Sequence, residues 1–351
     1  MKTKIRSPGF GPVNGLSLLL LLLLLLLSGV VDASPLFETE SVVEVTLAGP
    51  IGTLARDARQ KASLPFSIQA GGEQLAVDIR ARGHSRLKVC DFPPIRLSFP
   101  EPPPSDSMFA GQNRIKMVTH CRKGARGEQD LLDEYVAYRM FNAVTDLSFR
   151  VRLLRVDYVD TDGVWSDKGE SFFGFLIEPL EEFAARTGVQ PVSLEGFPLY
   201  RHDLNNAALM YVMQYLIGNT DYMMLRADYD EKCCHNVELF ERDSKIISVP
   251  YDFDLAGLVN AGYARPDPKL RIRRVTQRLY RGLCTDRKYL DAAFETVWSR
   301  KEEIQAVISE VPGLETRNRE RAAAYVDKFF DQAADKQKML DSFERACLEG
   351  Y

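Results

Sequence analysis

Positive charge is not in excess in this chain: 45 Lys and Arg stand against 49 Asp and Glu, for a net charge of −4 over 351 residues. That balance argues against a general nucleic-acid binder, whose affinity rests largely on neutralising phosphates with Lys and Arg. No internal repeat with a period of about 20 to 50 residues is present, which argues against a solenoid or propeller. Zinc-type cysteine spacing is missing too, since "CCH" at Cys233–His235 is contiguous and lacks the gap between ligands that a zinc site uses. Apolar residues at 45% and charged ones at 27% leave ample material for a core. One basic cluster, "KLRIRRVTQRLYRGLCTDRK" from Lys269 to Lys288, reads either as a solvated helix face or as a groove for an anionic ligand.

The first residues follow the plan of a secretory signal. "MKTKIR" supplies positive charge, "LSLLLLLLLLLLSGVV" an apolar segment and "VDAS" the small residues of a cleavage site, which places the cut after Ala33. The apolar stretch of 16 residues is shorter than the roughly 20 that cross a bilayer. Membrane attachment follows only if the leader stays uncleaved. No cysteine closely follows the segment, so a lipoprotein cut is not indicated. Export to a periplasmic or extracellular space then makes disulfides the leading reading of Cys90, Cys121, Cys233, Cys234, Cys284 and Cys347. Adjacent cysteines rarely meet disulfide geometry, so Cys233 and Cys234 are expected to bond outward to two different partners.

Patterning predicts an α+β chain. "SVVEVTLAG", "QLAVDIRARG", "PIRLSF" and "NRIKMVTHC" read as strands, and "PEPPPSD" as a loop. "EQDLLDEYVAYRMFNAVTD" has the apolar spacing of a helix. "FRVRLLRVDYVDTDG" and "SFFGFLIEP" form a hairpin around a loop containing Asp160 to Gly169. From Asp203 the chain turns helical: "DLNNAALMYVMQYLIGN" opens on a capping Asp, ends at Gly218 and is apolar nearly all round. "NVELFE" and "KIISVPYD" are two short strands about the turn "RDSK", and Arg287 to Leu348 reads as helices. The expected division is a leader over 1–33, a β-rich lobe with one long helix over 34–190 and a mainly helical lobe over 191–351.

"VPYDFDLAG" drops Asp252 and Asp254 onto the end of an apolar run, where an ionised carboxylate needs a partner. Antiparallel pairing of the two short strands brings Asn236 near Asp252, and Asp221 in "GNTD" lies on a loop tied to the same hairpin. Two acids and an amide so gathered suit a hard divalent cation. A protein kinase uses such parts in this order: a catalytic Asp, an Asn on metal, then an Asp before Phe, with an N-lobe Lys paired to a helix Glu. Lys116 and Glu134 occupy the last two places. The Asp-to-Asn interval is fifteen residues here, so Asn219 competes with Asn236. No G-x-G-x-x-G is present; Gly83 or Gly111 would cover phosphates with help from Arg82, Arg86 or Arg114.

The set "ARGHSR", "PPIRLSF", "LLDEYVAYRMFNAVTDLSFRVRLLRVDYV", "GFLIEP", "LIGNTD", "CCHN" and "VPYDFDLAG" resembles the spore-coat protein H (CotH) kinase family. The resemblance runs from about Val77 to Ala264, with His84 where the family motif has Asn. It implies an atypical, exported, two-lobed protein-kinase-like fold. By that likeness Asp221 is the catalytic acid, Asp252 the metal ligand, Asn236 a further ligand and Glu178 a hinge-side residue under the base; Asp254 is left either as an accessory metal ligand or as a residue behind the ligands. Lys116, oriented by Glu134, is expected to position phosphates with Arg82, and Arg96 is its rival. The implied reaction moves phosphate from ATP, with Mg²⁺ or Mn²⁺, to Ser or Thr of a secreted or envelope protein. Three other readings stay open: an inert kinase-like envelope binding or assembly protein, a metal-dependent phosphoester hydrolase, and transfer of AMP in place of phosphate.

Overall fold

A computed structural model describes residues 35–165, 171–225 and 232–350. The leader and part of the Asp160–Gly169 loop lie outside the described residues. Seven strands make the β-rich part: β1 (Val43–Gly49), β2 (Leu64–Ala70), β3 (Glu73–Ala81), β4 (Ile95–Ser98), β5 (Arg114–Val118), β6 (Val151–Asp160) and β7 (Ser171–Ile177). Their spatial order is β1-β2-β3-β4-β5-β7-β6, and β6 returns to pair in parallel with β1, so the sheet closes on itself. Every other neighbouring pair is antiparallel.

Side-chain alternation fixes which face goes inward. Val45, Leu47, Ile68, Val77, Ile79, Ile95, Leu97, Ile115 and Met117 fill the interior. Arg80, Arg96 and Lys116 alternate with them and take the other face. Two short helices, α1 (Ile51–Arg56) and α2 (Arg86–Val89), interrupt the strands, and the long helix α3 (Ala125–Val144) separates β5 from β6.

α4 (Leu180–Thr187) follows β7 and leads to α5 (Leu204–Ile217). Asp203 caps α5 by accepting from the Asn206 N–H at 2.9 Å, and Gly218 ends it in the left-handed conformation that glycine adopts without a Cβ clash. A three-stranded sheet, ordered β10-β9-β8, packs beside α5: β8 (Gln190–Pro191), β9 (Val237–Arg242) and β10 (Lys245–Pro250). Four helices close the chain: α6 (Arg287–Ser299), α7 (Lys301–Glu310), α8 (Thr316–Ala333) and α9 (Lys336–Ala346). α3 belongs to the second core cluster with them, so it joins the sheet to the helices.

Two expectations are corrected. Cys233 and Cys234 bond to each other across a cis peptide, because Cys90 pairs with Cys121 and Cys284 with Cys347, leaving no outward partner. The basic run from Lys269 is not a helix face; α6 starts only at Arg287. Arg278 instead donates to the carbonyls of Tyr215, Leu216 and Tyr325, and Arg281 to that of Thr220. Tyr215 and Leu216 lie in the last turn of α5 and Thr220 in the loop after it, where a helix leaves carbonyls unsatisfied, whereas Tyr325 lies within α8.

Candidate active site

Asp221 sits three residues beyond Gly218. Asn219 is fully buried and its side-chain oxygen accepts from the Asp221 N–H at 2.9 Å, which shapes the loop. The segment before β9 runs back along it, with Met223 and His235 exchanging backbone hydrogen bonds at 3.1 Å each. That pairing sets two side chains against the Asp221 carboxylate: His235 Nε2 is 3.1 Å from one oxygen, and Asn236 Nδ2 donates to the other at 3.0 Å. Asn236 also donates to the Asp221 carbonyl at 2.7 Å. The Asp221 side chain remains 35% exposed, so the carboxylate is oriented yet reachable.

Across the β9–β10 pair, Tyr251 N–H donates to the Asn236 carbonyl at 3.1 Å, which sets Asn236 beside the entry to "YDFD". Both Asn236 (φ 55°) and Asp252 (φ 61°) take the left-handed backbone region, which short polar side chains tolerate best among non-glycine residues. Phe253 is buried between Tyr138 (centroids 4.6 Å apart) and Phe141 (5.1 Å) of α3. The Asp252 N–H donates to Tyr138 Oη at 2.9 Å.

Arg86 is the hub that sequence reasoning placed elsewhere. Its Nη2 donates to both oxygens of Glu134 at 2.8 and 2.9 Å and to Asp252 at 2.9 Å, while Nε donates to Asp254 at 2.9 Å. Tyr263 donates to the same Asp254 oxygen. Burial raises the Glu134 and Asp254 carboxyls above their ordinary values, and the crowding of like charges adds to it, although Arg86 opposes the shift. The Cys90–Cys121 disulfide ties the end of α2 to the segment entering α3, four residues from Arg86 on one side.

Other expected roles are redistributed. Glu134 does not orient Lys116. It is taken by Arg86, whose branched guanidinium reaches three carboxylates at once, whereas Lys116 lies 3.5 Å from Glu238 on β9 and over the Tyr251 ring. Glu178 borders the cleft, but Arg186 holds its carboxylate at 2.8 Å on both oxygens and the Arg150 N–H donates to it, so that carboxylate is not left for a base. Arg82 lines the cleft and forms no ion pair among the described residues; burial lowers its guanidinium below the ordinary value.

Asp221, Asn236, Asp252 and Asp254 line one cavity, with Arg82, Arg96 and Lys116 also on its wall. Asn219 is not among the lining residues, so of the two competing amides only Asn236 faces the space. Among the described residues no group of three or more His, Cys, Asp or Glu could hold a metal by itself. The donor chemistry nevertheless fits one hard divalent cation. Three carboxylates surround the single Arg86 charge, and Asp252, with a side chain 34% exposed, gives only one oxygen to it. Asn236 uses its nitrogen on Asp221 and keeps its oxygen. A cation such as magnesium needs only one or two carboxylates, with water and phosphate for the rest.

No family model matches this chain, and no curated protein does. Among solved structures, a crystal structure of a Helicobacter pylori proinflammatory kinase, CtkA, is similar at a TM-score of 0.39 and 13% identity, covering 72% of this chain and 90% of that one. The functional reading therefore rests on the residues above.

Proposed function

We propose that this chain is an exported, metal-dependent phosphotransferase with a two-lobed, protein-kinase-like site, moving phosphate from a nucleotide such as ATP to a hydroxyl of a secreted or envelope protein. One observation carries it: Asp221, Asn236 and Asp252 line one cavity together with Arg82, Arg96 and Lys116. Acids and an amide lining the same space as these cations suit a polyphosphate with its counter-ion. Asp221, its oxygens directed by His235 and Asn236, accepts the proton of the attacking hydroxyl. Asp252 and Asn236 would hold the divalent cation, and Asp254 keeps Arg86 in place behind them. When bound, Mg²⁺ or Mn²⁺ neutralises charge on the phosphate oxygens. Three disulfides and the leader-like N-terminus support export.

The test is transfer of labelled phosphate from ATP to a mixed protein substrate in manganese or magnesium, comparing the wild type with Asp221→Asn and Asp252→Asn. Loss in both variants is expected, and equal transfer by all three ends the assignment. A second reading has its own observation. Arg86 lies 2.9 Å from Asp252 and competes with a cation for it, as in a kinase-like protein that binds without catalysing. Nucleotide binding with no transfer in any metal selects that reading.

A further inference from the structure

The basic run from Lys269 to Lys288 divides in two. Its second half is structural, since Arg278 and Arg281 are taken up by the carbonyls described above. Its first half, with the residues just before it, reads "RPDPKLRIRR" from Arg265 to Arg274: five cations and one acid, in a chain whose net charge is −4. This stretch belongs to no helix or strand. Arg265, Lys269, Arg271, Arg273 and Arg274 are all exposed, and among the described residues none of the five forms an ion pair. The lone acid, Asp267, accepts from the Lys269 N–H at 2.8 Å. Arg126 adds another exposed cation, its guanidinium lying against Gly262 just before the loop.

Both ends of this loop are fastened to the candidate active site. At its start, Tyr263 Oη donates to Asp254 at 2.9 Å, and the Gly262 N–H donates to Asp130 of α3. At its end, Val275 packs so closely on Gly257 that a Cβ there would meet the Val275 carbonyl at 2.7 Å. The Gly257 N–H in turn donates to the Gly218 carbonyl at 3.0 Å, and Arg281 donates to the carbonyl of Thr220, the residue before Asp221. The ten residues from Arg265 to Arg274 therefore leave from beside Asp254 and return beside the loop of Asp221. A chain that goes out and back over such a length reaches at most about 17 Å from its ends. An extended peptide covers the same distance in about five residues. A hydroxyl placed at Asp221 thus brings its neighbours in sequence within range of these cations.

We propose that the Arg265–Arg274 loop is the docking surface for the protein acceptor, and that it selects acceptors whose hydroxyl stands among Asp and Glu residues. The proposal rests on the phosphotransferase reading for the hydroxyl and goes beyond it in naming the chemistry around that hydroxyl. Exposed cations so crowded repel one another, and an acidic segment laid across them removes the repulsion. An acidic protein segment is favoured over a nucleic acid, because a long polyanion would run on to a surface that is acidic overall, with 49 Asp and Glu against 45 Lys and Arg. A short acidic stretch meets only the loop.

Fluorescence anisotropy with labelled peptides tests it on the full chain. One peptide carries a central serine among glutamates, and its counterpart has glutamine at each glutamate. The wild type should bind the glutamate peptide about ten-fold or more tightly than the glutamine one, and lose that preference at high salt. An exposed ion pair changes affinity about two- to five-fold. Arg271→Glu, Arg273→Glu and Arg274→Glu together should therefore weaken the glutamate peptide at least about ten-fold. Lys328→Glu, Lys338→Glu and Arg345→Glu together make the same charge change at exposed positions of α8 and α9 and should weaken it about two-fold or less. Equal affinity for the two peptides overturns the proposal, and so does an equal loss in the two triple variants. Tighter binding to anionic phospholipid vesicles or to polyuridylic acid than to the glutamate peptide, abolished by the loop substitutions, overturns it as well. A glutamate peptide that binds through the loop but takes no phosphate in any metal counts against the phosphotransferase alone. Transfer to both peptides with equal kcat/KM counts against this proposal alone.

Discussion

Arg86 and Glu134, 48 positions apart, meet through a single guanidinium nitrogen that donates to both carboxylate oxygens at 2.8 and 2.9 Å, with the two side chains 7% and 2% exposed. The same arginine holds Asp252 and Asp254, so it joins α2, α3 and the segment after β10. Removing one partner of such a buried cluster leaves charge without compensation.

Arg86→Met should accordingly destabilise the chain by about 3–5 kcal/mol, because three carboxylates lose the arginine to which all of them bond. Lys116→Met should cost under about 1 kcal/mol, since the Lys116–Glu238 pair is long and roughly a third exposed on each side. Denaturant midpoints at unchanged slope measure both. Equal midpoints for the two variants would mean that Arg86 is not the hub described.

His202 supplies a pH signature away from the site. It is buried, its Nε2 lies 3.2 Å from Ser248 Oγ, and burial lowers its pKa from 6.5 to about 4. The unfolded chain therefore binds the proton that the folded one refuses between those values, and stability rises with pH across that window. The contribution is fully present above about 6.5 and fades as pH falls toward 4, for a total of roughly 3 kcal/mol. His202→Gln should flatten that part of the stability curve. A slope unchanged by the substitution would contradict the buried neutral imidazole.

The legible and illegible parts of the molecule differ in how far apart their partners lie. β1, β3, β5, β6 and β7 could be read from alternation, and α5 from its Asp203 and Gly218 ends, because those signals are local. β2, "LPFSIQA", was missed: Pro65, Ser67 and Gln69 take its outward positions and disguise a strand whose Phe66 and Ile68 face the core. Barrel closure rests on Val43 to Gly49 pairing with Leu154 to Asp160, over a hundred residues away. At the site, the order Asp221, Asn236, Asp252 was visible along the chain. Arg86 was not, as its three acids come from 48, 166 and 168 positions downstream. The vicinal cysteine bond was misjudged because the expectation assumed partners elsewhere, and the other four cysteines take one another.

Two of the disulfides offer a comparison. Cys90–Cys121 spans 31 positions and Cys284–Cys347 spans 63. Loop-closure entropy puts their loss at about 4 kcal/mol each, with the longer loop costing slightly more. Replacing each pair with serines should follow that order in thermal melts. The shorter bridge should have the further effect of reducing nucleotide affinity, because it ties α2 and Arg86 to the approach of α3. Equal affinity in both double variants would confine Cys90–Cys121 to stability.

Phe253 links the core to the chemistry. Its ring lies 1% exposed against Tyr138 and Phe141, and the residue before it is Asp252, in a left-handed conformation and held by the Tyr138 hydroxyl. Phe253→Ala should cost about 3–5 kcal/mol through the lost ring and the cavity it leaves. Phe253→Leu, which keeps most of the volume, should cost about 1–2 kcal/mol and fold well enough to assay. In that milder variant divalent-dependent nucleotide binding should still fall, since the aromatic contacts that fix the Asp252 backbone are gone. The measurement is nucleotide affinity with and without metal at a temperature where Phe253→Leu is fully folded. If the metal-dependent part of the affinity equals that of the wild type, Asp252 is positioned by its Arg86 and Tyr138 contacts alone, and the ring serves only packing.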